Sequence, residues 1–281
     1  MENKSKIIAY QGIPGAYSEA AALNCFPNSN LLSCNTFFQA LEATRSGSSD
    51  LSIIPIENLI AGRVADVHAL LPISQLYIIG EYFLNIQHQL LGLENSNLAD
   101  IKLVLSHTQG LSQCRDFLEK YKIKTEVFAD TAGSAQEVAR RKDKTIAAIA
   151  SERAGELYGL KVLSNSISNS QENKTRFLIL SRQQIVPPPT SPCLTTLVFT
   201  VKSVPAALYK ALGGFATNGI NLTRIESYLS GNDFNSTTFS IDAETHPIQI
   251  SYQNAIEELN FFANNVQSLG TYSQSNYRAK K

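Results

Sequence analysis

Short apolar runs alternate with stretches of helical period along the first two thirds of the chain. Residues 51–54, 101–105, 125–129, 145–150 and 176–180 read as strands with helical segments between them, which predicts an α/β region with mostly parallel sheets. Thr36 followed by Gln39 forms a capping box for a helix through Phe37, Phe38 and Leu41 that ends at Gly47. Leu111, Cys114, Phe117, Leu118 and Tyr121 recur at helical spacing over 110–121, and Ala154, Leu157 and Tyr158 lie on a helix from Ser151 to Gly159. One stretch has period two instead. Tyr82, Leu84, Ile86, His88 and Leu90 alternate with Glu81, Phe83, Asn85, Gln87 and Gln89, so most of one face is polar, as in a strand bordering water or a cleft. A crossover there is compatible with two lobes hinged by extended segments.

A second region follows a break in the pattern. Pro187, Pro188, Pro189 and Pro192 forbid a helix and favour an extended, semi-rigid connector over 186–193. Beyond it the order is strand (195–201), helix (205–217), strand (221–229), a turn at 230–233, strand (235–243), helix (250–263) and strand (266–272). This βαββαβ order is the ferredoxin-like pattern. Pro205 in the first helical turn and Gly219 past the end of that helix agree with the period.

Composition narrows the function classes. At 281 residues and 43% apolar, the chain is sized for about two domains and is too apolar to be disordered. Its 24 basic residues balance 24 acidic ones, so no protein-wide field draws it to nucleic acid or an anionic bilayer. The first residues contain no signal-peptide apolar core, and no apolar run approaches the roughly 20 residues of a bilayer span, so a cytoplasmic location is expected. Cys25, Cys34, Cys114 and Cys193 form no CxxC pair and read as buried free thiols. With His68, His88, His107 and His246 also scattered, no metal site is expected.

Four segments concentrate polar chemistry at strand ends. Gln11 to Glu19 is a glycine-containing turn that opens an Ala-rich helix, where free N–H groups and the helix dipole suit an anion. An ordinary turn capped by Ser18 accounts for the same residues. The apolar strand at 53–56 delivers Glu57 and Asn58 at its carboxyl end, where open α/β sheets bind ligands, and Gly62 then opens a helix with Val64, Val67 and Leu71 inward. A turn and a cap explain Glu57 and Asn58 equally well. Residues 106–113 place Ser106, His107, Thr108, Gln109, Ser112 and Gln113 at a strand-to-helix junction, as neutral donors for a polar ligand or as a solvent-facing loop. Asn173 to Phe177 leads a strand with Thr175 and Arg176, the guanidinium suited either to a bidentate carboxylate contact or to a charged strand entrance.

Taken as an ordered set, these segments resemble the prephenate dehydratase family over residues 7–275. The matching residues are Gly15, Ala16, Tyr17 and Ser18; Pro55, Ile56, Glu57 and Asn58 with Gly62 and Val64; Ser106, His107 and Gln113; and Thr175, Arg176 and Phe177. The resemblance implies decarboxylation and dehydration of prephenate to phenylpyruvate in phenylalanine biosynthesis, with no cofactor. It implies a two-lobed catalytic domain over 1–185, like a type II periplasmic binding protein. It also implies a proline-rich linker over 186–193 and a ferredoxin-like ACT regulatory domain over 194–281. Thr175 is expected as hydrogen-bond partner of the leaving hydroxyl and Arg176 as holder of a carboxylate. Asn58, Ser106 and Gln113 are expected to orient the substrate, with Gly15, Tyr17, Ser18, Glu57, His107 and Phe177 around it.

The family's phenylalanine loop corresponds to Val204 through Leu208, so Ala206, Ala207, Leu208, Asn221, Leu222, Glu226 and Ser227 are the expected allosteric residues. Phenylalanine would bind between paired ACT domains, in a homodimer or homotetramer. Two departures stand out. Leu59 replaces the Ser or Thr usual after the Glu-Asn pair, and Tyr228 and Leu229 replace the Arg and Pro that follow Glu-Ser. Two rivals remain at this point. One is an arogenate dehydratase, whose substrate carries an ammonium group for which Glu57 is the motif-borne partner. The other is a non-catalytic amino-acid-binding regulator.

Overall fold

A computed structural model describes residues 5–229 and 237–278. The elements run β1 (Ile7–Gln11), α1 (Tyr17–Cys25), β2 (Asn30–Cys34), α2 (Phe37–Ser46), β3 (Leu51–Asn58), β4 (Gly62–Arg63), α3 (Ala65–Leu70), β5 (Tyr77–Asn85), β6 (Gln89–Gly92), β7 (Leu103–Ser106), α4 (Thr108–Gln113), α5 (Arg115–Lys120), β8 (Lys124–Val127), α6 (Thr131–Arg141), β9 (Ile146–Ala150), α7 (Glu152–Tyr158), β10 (Lys161–Ser164) and β11 (Lys174–Ser181). They continue as β12 (Cys193–Val201), α8 (Ala207–Thr217), β13 (Leu222–Leu229), β14 (Thr237–Ala243), α9 (Ile250–Phe262) and β15 (Ala263–Ser273). The turn expected at 230–233 and the strand start expected at 235 lie outside the described residues.

The strands form three sheets. The first has the order β2-β1-β3-β11-β5 with β4 hydrogen-bonded to β3, the second β10-β6-β9-β7-β8, and the third β13-β14-β12-β15. In the second sheet β7 pairs in parallel with both β8 and β9, while β6 is antiparallel to β9 and β10, so the sheet is mixed. Its strands are apolar without alternation because both faces are covered. Leu105, Ala148 and Ala150 join a core with Ala132, Ala135 and Ala154. Their neighbours Val104, Ala147 and Ile149 face a second core with Cys114 and Leu118.

By compactness the chain divides into two units that interleave along the sequence. One holds residues up to Ala40, Ile53–Arg63 and Phe83–Phe177, and the other Leu41–Ser52, Val64–Tyr82 and the chain from Leu178 onward. In the second unit, Leu197 and Phe199 of β12 and Phe239 and Ile241 of β14 form a core with Ala211 and Phe215 of α8 and Ala255 and Leu259 of α9. The opposite faces of these strands carry buried polar pairs. Thr196 donates to Asp242 at 2.7 Å, and Arg224 bonds the same carboxylate at 2.9 Å. The element order and the order of this sheet are those of a ferredoxin-like fold. No helix among the described residues is long and apolar enough to cross a membrane.

Several expected elements are corrected. The helix expected over 110–121 is two, α4 and α5, broken at Cys114 (φ −116°, ψ 18°). The reason is that the Gln113 carbonyl leaves the helical ladder and accepts from Asn169 N–H at 2.7 Å. The alternating stretch 82–90 is likewise interrupted. β5 ends at Asn85 in the first sheet and β6 begins at Gln89 in the second, and Ile86 N–H bonds Asn173 C=O at 2.8 Å in the connection. Gly62 belongs to β4 rather than to a helix start, although Val67 and Leu71 do point inward. Pro205 stands outside α8, because Ala206 adopts a left-handed conformation (φ 57°) and the helix begins only at Ala207. The capping box at Thr36 holds, with Gln39 N–H donating to Thr36 Oγ1 at 3.1 Å. Cys34, Cys114 and Cys193 are buried free thiols, and Cys25 is half-buried.

Candidate active site

Two strand ends, β3 and β11, carry the central polar groups, and the alternation of strand side chains sorts them into two faces. Glu57 and Arg176 meet on one face, with Nη1 3.0 Å from Oε1. Asn58 and Thr175 meet on the other, with Nδ2 2.9 Å from Oγ1. Arg176 is 2% exposed, so its charge is spent within the protein on a carboxylate that is one-third exposed. The carboxylate that Arg176 meets in this structure is the protein's own. Adjacent residues of a strand point opposite ways, so Thr175 and Arg176 do not converge on one ligand.

The direction of each hydrogen bond around Asn58 follows from groups that can only donate. The backbone N–H groups of Ile60 and Ala61 both donate to Asn58 Oδ1, at 3.0 and 2.8 Å. The amide is therefore fixed, and Nδ2 faces Asn173 Oδ1 (2.7 Å), Lys174 C=O (3.1 Å) and Thr175 Oγ1. Thr175 accepts in this contact and keeps its own hydroxyl proton for another acceptor.

The same logic passes outward. Asn173 uses its oxygen for Asn58, so its Nδ2 donates to Gln113 Oε1 at 2.9 Å. Gln113 Oε1 also lies 2.8 Å from His88 Nε2, which must then carry a proton. On the far side of the ring, the Tyr17 hydroxyl lies 2.9 Å from Nδ1 and 2.9 Å from the Gln87 carbonyl. Burial holds the His88 pKa below its ordinary value, against the opposing effect of the Gln113 contact. Burial also pushes the Tyr17 phenol well above its usual range, so it stays protonated. The break between α4 and α5 and the chain crossing between β5 and β6 bring Gln113 and His88 together.

The glycine turn before α1 serves packing. Gly15 (φ 92°) comes so close to α7 that an added Cβ would lie 3.0 Å from Ala154 Cα. Its carbonyl accepts from Ser151 Oγ at 2.7 Å, and its N–H donates to Glu19 Oε2 at 2.7 Å. The anion suited to this helix start is thus the protein's own Glu19 carboxylate. Ser18 does not cap α1. Ala16 occupies that position without a side-chain cap, and Ser18 is buried. Ser106 is fully buried and donates to Ile149 C=O at 2.7 Å. His107 caps α4, its Nδ1 accepting from Gln109 N–H. Phe177 is a core residue. Of the expected site residues, the structure gathers Asn58, Thr175, Gln113 and Tyr17 in one network, places Glu57 with Arg176 behind it, and turns Gly15, Ser18, Ser106, His107 and Phe177 to structural tasks. His88 and Asn173 were not singled out for chemistry. The signal for His88 lay in the alternating stretch 82–90, where it is the one imidazole on a face otherwise made of Tyr82 and the aliphatic Leu84, Ile86 and Leu90.

In the ferredoxin-like part, Ala206, Ala207 and Leu208 stand at the entrance to α8. Asn221 donates to Glu244 at 2.8 Å, and Leu222 packs against the core. Glu226 and Ser227 lie on β13, an outer strand of its sheet, opposite Ser240 and Phe239.

Residues 8–185 match the family model described as prephenate dehydratase. The chain belongs to the prephenate dehydratase family. It is 42% identical over 279 residues to a bifunctional N-acyl-homoserine lactone acylase/prephenate dehydratase of Komagataeibacter europaeus, covering 99% of each chain. It is 37% identical to arogenate dehydratase/prephenate dehydratase 2 of Arabidopsis thaliana, over 97% of this chain and 74% of that one. Among solved structures, the prephenate dehydratase of Arthrobacter aurescens in complex with L-Phe superposes with a TM-score of 0.88 at 29% identity, covering 96% of this chain and 90% of that one. The ordered motifs that resembled a prephenate dehydratase therefore mark the family correctly.

Proposed function

We propose that the chain catalyses the conversion of prephenate to phenylpyruvate, carbon dioxide and water. The carboxylate on the ring leaves as CO2, its bonding electrons move through the diene, and the ring C–OH bond breaks as the ring aromatises. The departing hydroxide takes up a proton and leaves as water. The observation that carries this reading is the fixed donor direction at Asn58, which leaves Thr175 with its hydroxyl proton to give. A threonine hydroxyl is a poor acid. Its contribution is a hydrogen bond to the leaving oxygen that strengthens as negative charge builds there, reinforced by the bond Thr175 accepts from Asn58. Aromatisation supplies the driving force, so positioning accounts for most of the catalytic task.

Prephenate is favoured over arogenate by the state of Glu57. The ammonium of arogenate wants a carboxylate, and the charge of Glu57 is already balanced by Arg176. The test is turnover of each substrate by the wild type and Thr175→Ala. Phenylpyruvate is read by its absorbance in alkali, and phenylalanine from arogenate by chromatography. Turnover of prephenate that falls a hundredfold or more in Thr175→Ala supports the reading. Equal turnover by the two proteins removes Thr175 from the reaction, and arogenate as the better substrate reverses the specificity. Absence of turnover with both substrates would favour a non-catalytic amino-acid-binding regulator.

Residues 1–185 form the catalytic part in this reading and 194–281 an ACT sensor that binds L-phenylalanine between paired domains of a homodimer or homotetramer. Asn221, Glu226 and Ser227 supply polar contacts, and the enzyme works in the cytoplasm. The L-Phe complex of the Arthrobacter aurescens relative supports the effector. Inhibition of prephenate turnover by L-phenylalanine, lost in the truncation 1–185 if that part retains activity, is the expected result.

A second reading has its own observation. Leu59 and Ile60, 63% and 45% exposed, set apolar surface beside the Asn58 amide, as an acyl chain requires. The Komagataeibacter europaeus relative carries N-acyl-homoserine lactone acylase in its name. Release of a fatty acid and homoserine lactone from such an amide, read by mass spectrometry, tests this chain for the same hydrolysis.

A further inference from the structure

The chain of side chains that ends at Thr175 begins at a group outside the four polar segments read from the sequence. His88 is 3% exposed and is held at both ring nitrogens, by Tyr17 on one side and Gln113 on the other. The amides between His88 and Thr175 form a series in which each orientation determines the next. Asn58 is set by two backbone N–H groups, Asn173 by Asn58, and Gln113 by Asn173. Gln113 Oε1 then faces two donors, Asn173 Nδ2 and His88 Nε2, and its own NH2 group is turned away from the network.

A flip of the Gln113 amide would set NH2 against NH2 at Asn173, and only the His88 N–H makes the unflipped state satisfied on both sides. An imidazole that placed its only proton on Nδ1 would present a lone pair to the lone pairs of Gln113 Oε1. The tautomer with hydrogen on Nε2 is the neutral form that fits Gln113, and the single proton of the Tyr17 hydroxyl is then shared between the Gln87 carbonyl and Nδ1. We propose that His88 is a positioning residue for the dehydration. Its Nε2–H locks the Gln113 amide, and through Asn173 holds an acceptor against Asn58 Nδ2, so that the Asn58 donor stays seated on Thr175.

The role rests on the dehydratase reading, but the tautomer does not. The geometry supports positioning rather than proton transfer, because three amides separate the ring from Thr175 and an amide does not relay a proton at useful rates. Removal of the lock lets the Gln113 and Asn173 amides sample flipped states, in which Asn173 sets its NH2 against Asn58 Nδ2 and loosens the Asn58 contact with Thr175. This lowers the fraction of enzyme competent for chemistry without removing a ligand contact, so kcat falls and KM stays nearly level.

The experiment has two parts on the full-length protein. With 15N-labelled histidine, the His88 ring, assigned by its loss in His88→Gln, is expected to show a proton-bearing Nε2 and a pyridine-like Nδ1 at pH 8. A proton on Nδ1 with a bare Nε2 overturns the inference whether or not prephenate turns over. In kinetics, His88→Leu is expected to lose tenfold to a hundredfold in kcat, with KM within threefold and a cooperative melt retained. His88→Gln, whose side-chain N–H reaches the same place as Nε2, recovers most of that loss. His88→Leu with wild-type kcat, or equal defects in the two variants, overturns the positioning role. If the wild type turns over neither prephenate nor arogenate while the tautomer is as expected, the dehydratase reading fails and the amide lock stands.

Discussion

Asn58 Nδ2 donates to Thr175 Oγ1 over 2.9 Å, and it does so because the Ile60 and Ala61 N–H groups have already claimed the other end of the amide. The hydroxyl therefore keeps its own proton, which under the proposed function is given to the leaving oxygen. Asn58→Asp removes the donor while keeping the Oδ1 contacts, and the new carboxylate oxygen draws the Thr175 proton to itself. The expected loss in kcat is a hundredfold to a thousandfold, about 3–4 kcal/mol, the scale for deleting one preorganised donor. Thr175→Ser should stay within about tenfold of wild type, or about 1.4 kcal/mol, because the hydroxyl remains. Steady-state kinetics with prephenate checks both.

The pair on the other face of the same strands predicts a stability effect. Arg176 is buried and Glu57 is its carboxylate partner at 3.0 Å. Glu57→Gln leaves a guanidinium charge inside the protein with a weaker partner. Breaking a fully buried pair costs about 3–5 kcal/mol, and the partial exposure of Glu57 lowers the expectation to about 2 kcal/mol. Urea unfolding measures it. A change below about 0.5 kcal/mol would mean that other neighbours of Arg176 carry its charge.

Leu59 stands where hydroxyl residues are usual after the Glu-Asn pair, and its side chain is 63% exposed while its N–H is tied to Lys174 C=O at 2.9 Å. The backbone contact survives substitution and the side chain holds up no core. Leu59→Ser should therefore change kcat/KM for prephenate by less than about tenfold. A gain of several orders of magnitude would show that a missing hydroxyl limits this site.

The strand periodicities made much of this architecture legible. The runs at 145–150 and 176–180 became β9 and β11, and the βαββαβ order after the prolines gave the third sheet. What stayed hidden was set by contacts distant in sequence. The break at Cys114 depends on Asn169, and the partnership of Glu57 with Arg176 spans 119 positions. Arg176 was legible as a cation able to grip a carboxylate. That the carboxylate would be the protein's own followed only once β3 and β11 were neighbours. Ser106 and His107 illustrate the same limit, since hydroxyls and imidazoles at a strand-to-helix junction look alike whether they face a ligand or a backbone carbonyl.

Gly270 of β15 permits a close approach to β5. An added Cβ would overlap the carbonyl oxygen of Ile78, and the residue has φ 144°, which side chains rarely adopt. Gly270→Ala should cost at least about 3 kcal/mol, since backbone rather than a mobile side chain must give way. Arg278 also bonds the buried Glu81 carboxylate of β5, at 2.7 Å. A melt lowered by several degrees checks the expectation, and an unchanged melt would mean that β5 and β15 separate freely.

His88 gives the protein a pH dependence whose sign is fixed by burial. Its pKa in the folded state lies below the ordinary value because the charged ring loses its hydration, while the unfolded chain titrates near about 6.5. Above that pH both states hold a neutral ring and His88 contributes no slope. As pH falls below about 6.5 the unfolded state takes up a proton that the folded state refuses, so stability declines at up to about 1.4 kcal/mol per pH unit. The decline stops once pH passes the folded-state pKa and both states are charged. The groups on the ring nitrogens, the Tyr17 phenol and the Gln113 amide, carry no charge to oppose this. His68 and His246 are also buried but remain in a His88→Gln variant, so the difference between wild type and variant isolates one residue. That difference, measured by urea unfolding from pH 8 to pH 5, should be flat down to about pH 7 and then move against the wild type. A flat difference throughout would show that His88 titrates in the folded protein as it does in the unfolded chain, and that burial does not hold it neutral.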